Sequence, residues 1–546
     1  MIILAAILST QVSLAGLWEA KRRFGPDARG SIVLRREGTS WSADFIGRVI
    51  PVREERGVLT FAIPEGALRA HIEKDGVRGQ WRQAPKISDG NVYETPVRLQ
   101  PDGANRWRGE IAPLDETFTF YLMIGPNGEA FLRNPERNAT IRWNVNRFVR
   151  DGRAVKLSSD DRVLAEGTYD EESDTIAIAF PNRGGTYDFK RATDNSAFYP
   201  RGRKPEAYKY RPPLARNDGW PVATLEDVHI DRTKVETFIQ MLIDMPVESI
   251  HAPDIHAVLV ARNGKLVLEE YFHGANRDQL HETRSASKSA ASVLFGAAGL
   301  DPSLPVYETL GAEVDDPRKR AMTAEHLLTM SSGFYCDDND EKAPGREDTM
   351  NEQQEEPNHY LYALRLPMAY APGTKAIYCS TNPNLLGAVI AKAAGAPLPD
   401  LFDRLVARPL QFGSYAFGLQ PTGEPYLGGG MQILPRDFMK LGQLVVGDGV
   451  WRGTRVLSHE FVARASSPHF PLGRRQYGYL WWVDDRPYKD RTVRAVMALG
   501  NGGQIVMAVP ELDLVVTFMG GNYSDNPLLL SRTNVFVPES ILPAVE

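Results

Sequence analysis

Between residue 16 and about residue 200, apolar and polar positions alternate in short runs. That is the period of strands with one face on a core. "FTFYLMI" (117–123) and "DTIAIAF" (174–180) are the clearest, rich in β-branched and aromatic residues. The runs are punctuated by Asp75-Gly76, Asp102-Gly103, Asn127-Gly128 and Asp151-Gly152, pairs that supply the positive φ angles of tight hairpin turns. This half reads as two small β-barrels or sandwiches, 16–115 and 116–200. Trp18, Trp41, Trp81, Trp107 and Trp143 are spread through it as core anchors. Residues 201–221 hold Pro205, Pro212, Pro213 and Pro221, which fits an extended linker. Then the period changes. "DRTKVETFIQMLIDM" (231–245) is an amphipathic helix capped by Asp231. "HAVLVARNGKLVLEEYF" (256–272) is a hairpin turning at Asn263-Gly264. After a helical middle, strands return at "YGYLWWV" (477–483), "QIVMAV" (504–509) and "LVVTFM" (514–519). Residues 222–546 therefore read as an α/β (α+β) domain: one antiparallel sheet, built from both ends of the segment and flanked by helices.

At 546 residues the chain is too long for one core. A net charge of -6 argues against a nucleic-acid partner, which calls for a basic footprint. The opening "MIILAAILSTQVSLAG" is too short to span a bilayer but suits a signal peptide over 1–15, with Ser13 and Ala15 as the small pair before the cut. It lacks the usual basic start, so a buried first strand is the other reading. No later run is long enough for a transmembrane helix.

The chemistry gathers in three stretches. In "RSASKSAASVLFGAAG" (284–299), Ser285 and Lys288 stand three residues apart, on one face of a helix. A serine needs an adjacent base to become a nucleophile, and burial lowers a lysine pKa toward that task. A helix start also offers free amides to an oxyanion. The plain alternative is a capping serine with a solvated lysine. In "PGTKAIYCSTNPNLLGAVIAKAAG" (372–395), Tyr378 precedes a helix and can relay a proton, while Ser380 can complete the network. In "ALGNGGQIVMAVPELDLVVTFM" (498–519), Gly500, Gly502 and Gly503 let the backbone approach a substrate, and the Gln504 amide is a candidate second oxyanion donor.

In this order the three stretches resemble the serine β-lactamase and penicillin-binding-protein superfamily, and within it the class C branch with its carboxylesterases and D-peptidases. "HLLTMSSGF" (326–334), "GGGMQILPRDFMKLGQLVVGDGVW" (428–451) and "YGYLWW" (477–482) are also similar to that family. The resemblance covers about 215–540 and implies a β-lactamase/transpeptidase-like fold. It implies Ser285 as the acyl-accepting nucleophile and Lys288 as its base, with Tyr378 exchanging protons; which of the two accepts the proton during acylation stays open. It implies an oxyanion hole from the amides of Ser285 and Gln504, substrate contacts from Ser380, Asn501, Gly502 and Gly503, and no cofactor. Asn501 stands where many β-lactamases and peptidases carry a cation for the substrate carboxylate, so short esters or amides are favoured over β-lactams and peptides.

Cys336 and Cys379 fall in two of these segments. Similar "YCS" segments in the branch imply a disulfide bracing Tyr378, consistent with export to the periplasm or outside the cell; two buried thiols are the alternative. Asp337, Asp338, Asp340 and Glu341 read as a solvated acidic run rather than a metal site. Three functions stay in play: an ester or amide hydrolase working through an acyl-enzyme; a penicillin-binding D-peptidase or β-lactamase; and a non-catalytic binder of cell-envelope material. The β-rich half is expected to gate or dock substrate, so that its removal alters substrate range or stability more than chemistry. Neither the substrate's identity nor the oligomeric state is legible.

Overall fold

The computed structural model describes residues 12–546 apart from 25–27, 87–89, 116 and 137–138. The expected signal peptide therefore lies outside the described residues up to residue 11. Just beyond, Leu14 is buried and its carbonyl accepts the Trp18 indole N–H at 2.8 Å.

Eight strands, from Gly30–Glu37 to Arg106–Ile111, each pair antiparallel with the next. The last pairs with both the first and with Tyr93–Pro101, so the sheet closes into a barrel. Ser40–Phe45 alternates buried and half-exposed positions, and Leu34, Trp41, Phe45, Leu59 and Trp81 fill the interior, as in a small barrel packed by its own side chains.

A second set of eight strands runs from Ala130–Arg133 through Thr117–Ile124, Gly16–Arg23 and Gly185–Arg191 to Arg147–Asp151, with a bridge between Glu129 and Arg147 bringing its ends together. The expected unit 16–115 is corrected here at its start. Gly16–Arg23 pairs along its whole length with Thr117–Ile124 and belongs to the second barrel. Trp18 and Ala20 point into that barrel's core beside Phe120 and Leu122. The chain thus lays one strand of the second barrel, builds the first, and returns. Hairpin signals report only neighbouring strands, and this pairing is long-range.

The C-terminal sheet has the order Lys265–Tyr271, Ile255–Arg262, Leu514–Gly520, Gln504–Val509, Arg491–Gly500, Trp482–Tyr488, Arg475–Tyr477, Phe470–Leu472. It is antiparallel and drawn from both ends of the segment. Ile505, Met507 and Val509 face helix Arg232–Ile243, whose Asp231 side chain accepts the Lys234 amide. Val506 and Ala508 face helices Lys288–Ala297 and Pro435–Val446. Both faces are covered, which accounts for the unbroken apolar run of 505–509. The stretch 477–483, expected as one strand, is broken: Leu480 takes φ 58° and its amide bonds Leu328 O, so the sheet resumes at Trp482.

The first barrel also extends into this domain. Its strand Tyr93–Pro101 pairs with Tyr415–Gly418, which pairs with Met431–Ile433, which pairs with His281–Glu282. Arg408 bonds both oxygens of Glu73, and Arg69 meets Asp400 at 2.8 Å, fastening the barrel wall to a neighbouring helix. The proline-rich segment is extended as expected, yet pinned. Arg436 bonds Leu214 O and Asp218 Oδ2 within it, and grips both oxygens of the fully buried Glu269. Removing one partner of such a pair strands the other charge. Arg436→Met should therefore cost about 3–5 kcal/mol, read as a lower denaturation midpoint in urea with an unchanged slope.

Candidate active site

Ser285 lies in a single 3₁₀ turn, Arg284–Ser287, that runs directly into the helix Lys288–Ala297. The turn keeps the three-residue spacing on one face, and Lys288 Nζ donates to Ser285 Oγ at 2.9 Å. Lys288 is buried, and its ammonium also donates to Gly428 O. Nζ sits 5.1 Å from the centre of the Tyr378 ring. That ring stacks on Trp482, with centroids 5.6 Å apart.

The expected direction of the lysine pKa is overturned. Burial does work to lower it, but the Tyr378 phenol and the carboxylates of Glu347 and Asp338 outweigh burial and raise it. Lys288 is an ammonium at rest.

Those carboxylates are the part that motif reading missed. Asp338, assigned to a solvated acidic run, is drawn inward. Its Oδ2 accepts both the amide and the hydroxyl of Ser380, at 2.9 and 2.6 Å, and its Oδ1 accepts the Glu347 amide at 3.0 Å. Burial pushes its pKa up to about 6 against the pull of Lys288. Glu347 in turn accepts the Tyr426 hydroxyl at 2.6 Å. The only signal for Asp338 was its place two residues after Cys336. Glu347 and Tyr426 carried none.

Cys336 and Cys379 form a disulfide. With the Asp338 amide on Tyr378 O at 3.0 Å, it ties the acidic segment to the Tyr378 segment. Ser380, expected to touch substrate, is wholly buried and spends its hydroxyl on Asp338. It positions the carboxylate instead.

Ser285 and Tyr378 open onto a cavity of about 550 Å³. Leu472, Leu499, Leu529 and Leu530 give it an aliphatic side, and Asp337, Asn339 and Lys375 a polar one. Asn501 lines it too, with its side-chain oxygen accepting the Ser524 amide at 2.7 Å. Gly500 closes on the nucleophile turn: a Cβ there would stand 2.2 Å from Thr283 O.

Gly502 and Gly503 do not line the cavity, and the Gln504 side chain does not reach it. Gln504 is fully buried and lies opposite Gly500 in the sheet, with its side chain on Gly520 O. Gly502 and Gly503 sit behind the wall at φ 92° and 93°, where a Cβ would strike the Tyr523 ring and the Arg532 guanidinium. Their glycine is required by fit and backbone, not by substrate. The turn residue that reaches the cavity is Asn501. Of the aromatic residues nearby, Trp482 lines the cavity while Trp481 is core. No cluster of metal-ligating side chains occurs among the described residues.

Residues 254–523 match the Beta-lactamase family model. The chain is 23% identical over 288 residues to a 6-aminohexanoate-dimer hydrolase of Paenarthrobacter ureafaciens, covering 48% of this chain and 71% of that one. Among solved structures, a putative 6-aminohexanoate-dimer hydrolase from Bacillus anthracis shares 18% identity over 53% of this chain and 81% of its own, with a TM-score of 0.44. A family VIII carboxylesterase shares 16% identity over 55% and 96%, with a TM-score of 0.41. The family match thus identifies a Beta-lactamase domain over residues 254–523.

Proposed function

We propose that the protein hydrolyses an ester or amide through a covalent acyl-enzyme on Ser285. The observation that carries this reading is the Lys288 ammonium donating to Ser285 Oγ at the wall of a cavity that Tyr378 also lines. The lysine's proton fills a lone pair of Oγ, so the hydroxyl proton points elsewhere. The Oγ proton passes to whichever of Lys288 and Tyr378 has given up its own, and the tight hold of Lys288 on its proton favours Tyr378 in that role. Oγ attacks the substrate carbonyl carbon. The charge that develops on the carbonyl oxygen is met by the amides of Ser285 and Asn501, the latter replacing Gln504. Loss of one such donor costs about 3 kcal/mol of barrier. Tyr378 then hands its proton to the leaving oxygen or nitrogen as that bond breaks. Water gives a proton to Tyr378 and attacks the acyl carbon, and Tyr378 passes that proton to Oγ as the acyl–Oγ bond breaks, which releases the acid and regenerates the serine.

The aliphatic side of the cavity fits a short unbranched acyl chain. The likeness to a 6-aminohexanoate-dimer hydrolase brings linear amides within range. A carboxylate-directed β-lactamase or peptidase role is disfavoured, because Asn501 brings no charge to the position where many such enzymes carry a cation. The disulfide supports a place in an oxidising, extracytoplasmic compartment.

Wild type should gain a single fluorophosphonate adduct by intact mass and turn over a short p-nitrophenyl ester. Ser285→Ala should lose both while unfolding at the same temperature; an adduct or turnover that survives the substitution sinks the assignment. Asp338 yields a pH test. Its carboxyl holds its proton more tightly than usual, so it is charged above about pH 6 and neutral below. As pH falls through that value Lys288 loses a neighbouring counter-charge, and kcat should fall with it. Asp338→Asn should lower the plateau and flatten this acid limb between pH 5 and 7. A limb of unchanged shape in the variant would exclude Asp338 from the network.

A further inference from the structure

We infer that the two N-terminal barrels are positioning elements of the hydrolytic site: the first acts through Arg82 on the loop that holds Lys288, and the second through Arg133 on the turn that carries Asn501. The inference rests on the Ser285 reading above, and departs from the expectation that this half merely gates or docks substrate.

The loop between Tyr415–Gly418 and Met431–Ile433 does much of the work on the lysine side. Gly428 O takes the Lys288 ammonium. Gly429 lies so near the nucleophile that a Cβ on it would stand 3.5 Å from the Ser285 amide nitrogen. Tyr426 holds Glu347. Met431 O accepts the Thr283 amide and hydroxyl, two residues before the nucleophile. The other end of this loop belongs to the first barrel. Gly418 pairs with Tyr93, and the Leu419 amide donates to Val92 O at 2.9 Å. Arg82 donates to Gly423 O at 2.9 Å while its guanidinium is held by Glu94. Gly423 has φ 98°, and a Cβ there would stand 2.6 Å from an Arg82 nitrogen. The guanidinium thus packs on bare backbone at the far bend of the loop.

The second barrel reaches the opposite wall. Arg133 ends the strand Ala130–Arg133, and its guanidinium meets Asp254 Oδ2 at 3.1 Å, with both side chains only 7% exposed. The same Asp254 receives His256 Nε2 at 3.2 Å on its other oxygen. Its amide donates to Asn522 Oδ1, which also takes Arg532. Its carbonyl accepts the Gly521 amide and Arg532. The Asn522 amide then holds Gly502 O, and Ser524 holds the Asn501 side chain. From Arg133 to Asn501 the path is a buried ion pair, then hydrogen bonds of the 520–524 backbone, ending in the exposed bond from the Ser524 amide to the Asn501 side chain. Each half of the site is therefore braced from outside residues 222–546, one half by each barrel. Misplacement of reacting groups by about 1 Å can cost about 100-fold in rate, so such braces belong to the chemistry.

The test uses the full chain and a short p-nitrophenyl ester. It compares wild type, Arg82→Ala, Arg82→Lys, Arg133→Gln and the surface control Arg53→Ala. We expect kcat to fall about 10- to 100-fold in Arg82→Ala and Arg133→Gln, with KM within about twofold and a parallel fall in the fluorophosphonate labelling rate. Arg82→Lys, which can still donate to Gly423 O, should recover part of the loss, and Arg53→Ala should match wild type. Arg82 is half-exposed, so Arg82→Ala remains informative if Arg133→Gln fails to fold. Wild-type kcat in folded Arg82→Ala overturns the inference, and so does a rise in KM alone, which would make the barrels substrate-docking modules. Failure of the underlying reading looks different: wild type itself would neither turn over ester nor take an adduct on Ser285.

Discussion

An ammonium taken out of water must find partners for its N–H groups or lose its charge. Lys288 is 1% exposed and keeps its charge, and much of the site's geometry stems from that. One N–H goes to Ser285 Oγ and one to Gly428 O. The carboxylates of Asp338 and Glu347 supply the compensating negative charge, and they sit far enough back to leave the ammonium on the serine. Had a carboxylate taken Lys288 in a direct ion pair, the hydrogen bond on Oγ would have had a competitor. Ser380, the Glu347 amide and Tyr426 hold these acids in place, and the disulfide fixes the segment that carries one of them.

The same constraint explains the run of glycines at 428–430. A side chain on Gly428 would meet the Tyr426 hydroxyl at 2.2 Å, and one on Gly430 the Tyr426 carbonyl at 2.8 Å. Only bare backbone can bring a carbonyl to Nζ while Tyr426 turns back toward Glu347. The glycines themselves bring no side-chain packing to the stretch that meets Nζ; Leu427 and Gln420 anchor the loop on the core side. The edge strand and guanidinium of the first barrel supply what it lacks. A barrel and a hydrolase domain that share one sheet are better regarded as one frame than as beads on a linker. The Arg436 network, which fastens the proline-rich segment to the sheet, argues the same way.

What was legible in the sequence was local. Ser285 with Lys288, Tyr378 before its helix, the Asn263-Gly264 hairpin and the Asp231 cap all depend on residues within a few positions of one another, and each lies where spacing put it. The two β-rich units also came from period and turn chemistry. Three kinds of feature were not legible. Strand Gly16–Arg23 pairs across a hundred residues, and nothing near it says so. The lysine pKa was argued from its apolar neighbours in sequence, whereas its charge is set by carboxylates about 50 residues away. Ser380 was assigned to substrate because it adjoins the motif residues, yet the helix start at 381 turns it inward. Adjacency along the chain places a residue near a site; backbone direction decides whether it faces it.

Asn501 shows how little charge the substrate side of this site holds. Its side-chain oxygen accepts the Ser524 amide, and its side chain carries no charge. Of the other cations on the cavity wall, Arg475 is paired with Asp484, and Lys375 shares the polar side with Asp337. On the proposed mechanism the positive potential at the scissile bond comes from the Lys288 ammonium and the peptide dipoles at Ser285 and Asn501, all fixed before substrate arrives. Preorganised dipoles suit a charge that appears only in the transition state, and they give little purchase on a charge the substrate already carries. On the proposed mechanism the site favours a neutral reacting carbonyl beside the aliphatic wall, with Lys375, which donates to the Tyr370 hydroxyl, as a cation on the polar side of the cavity.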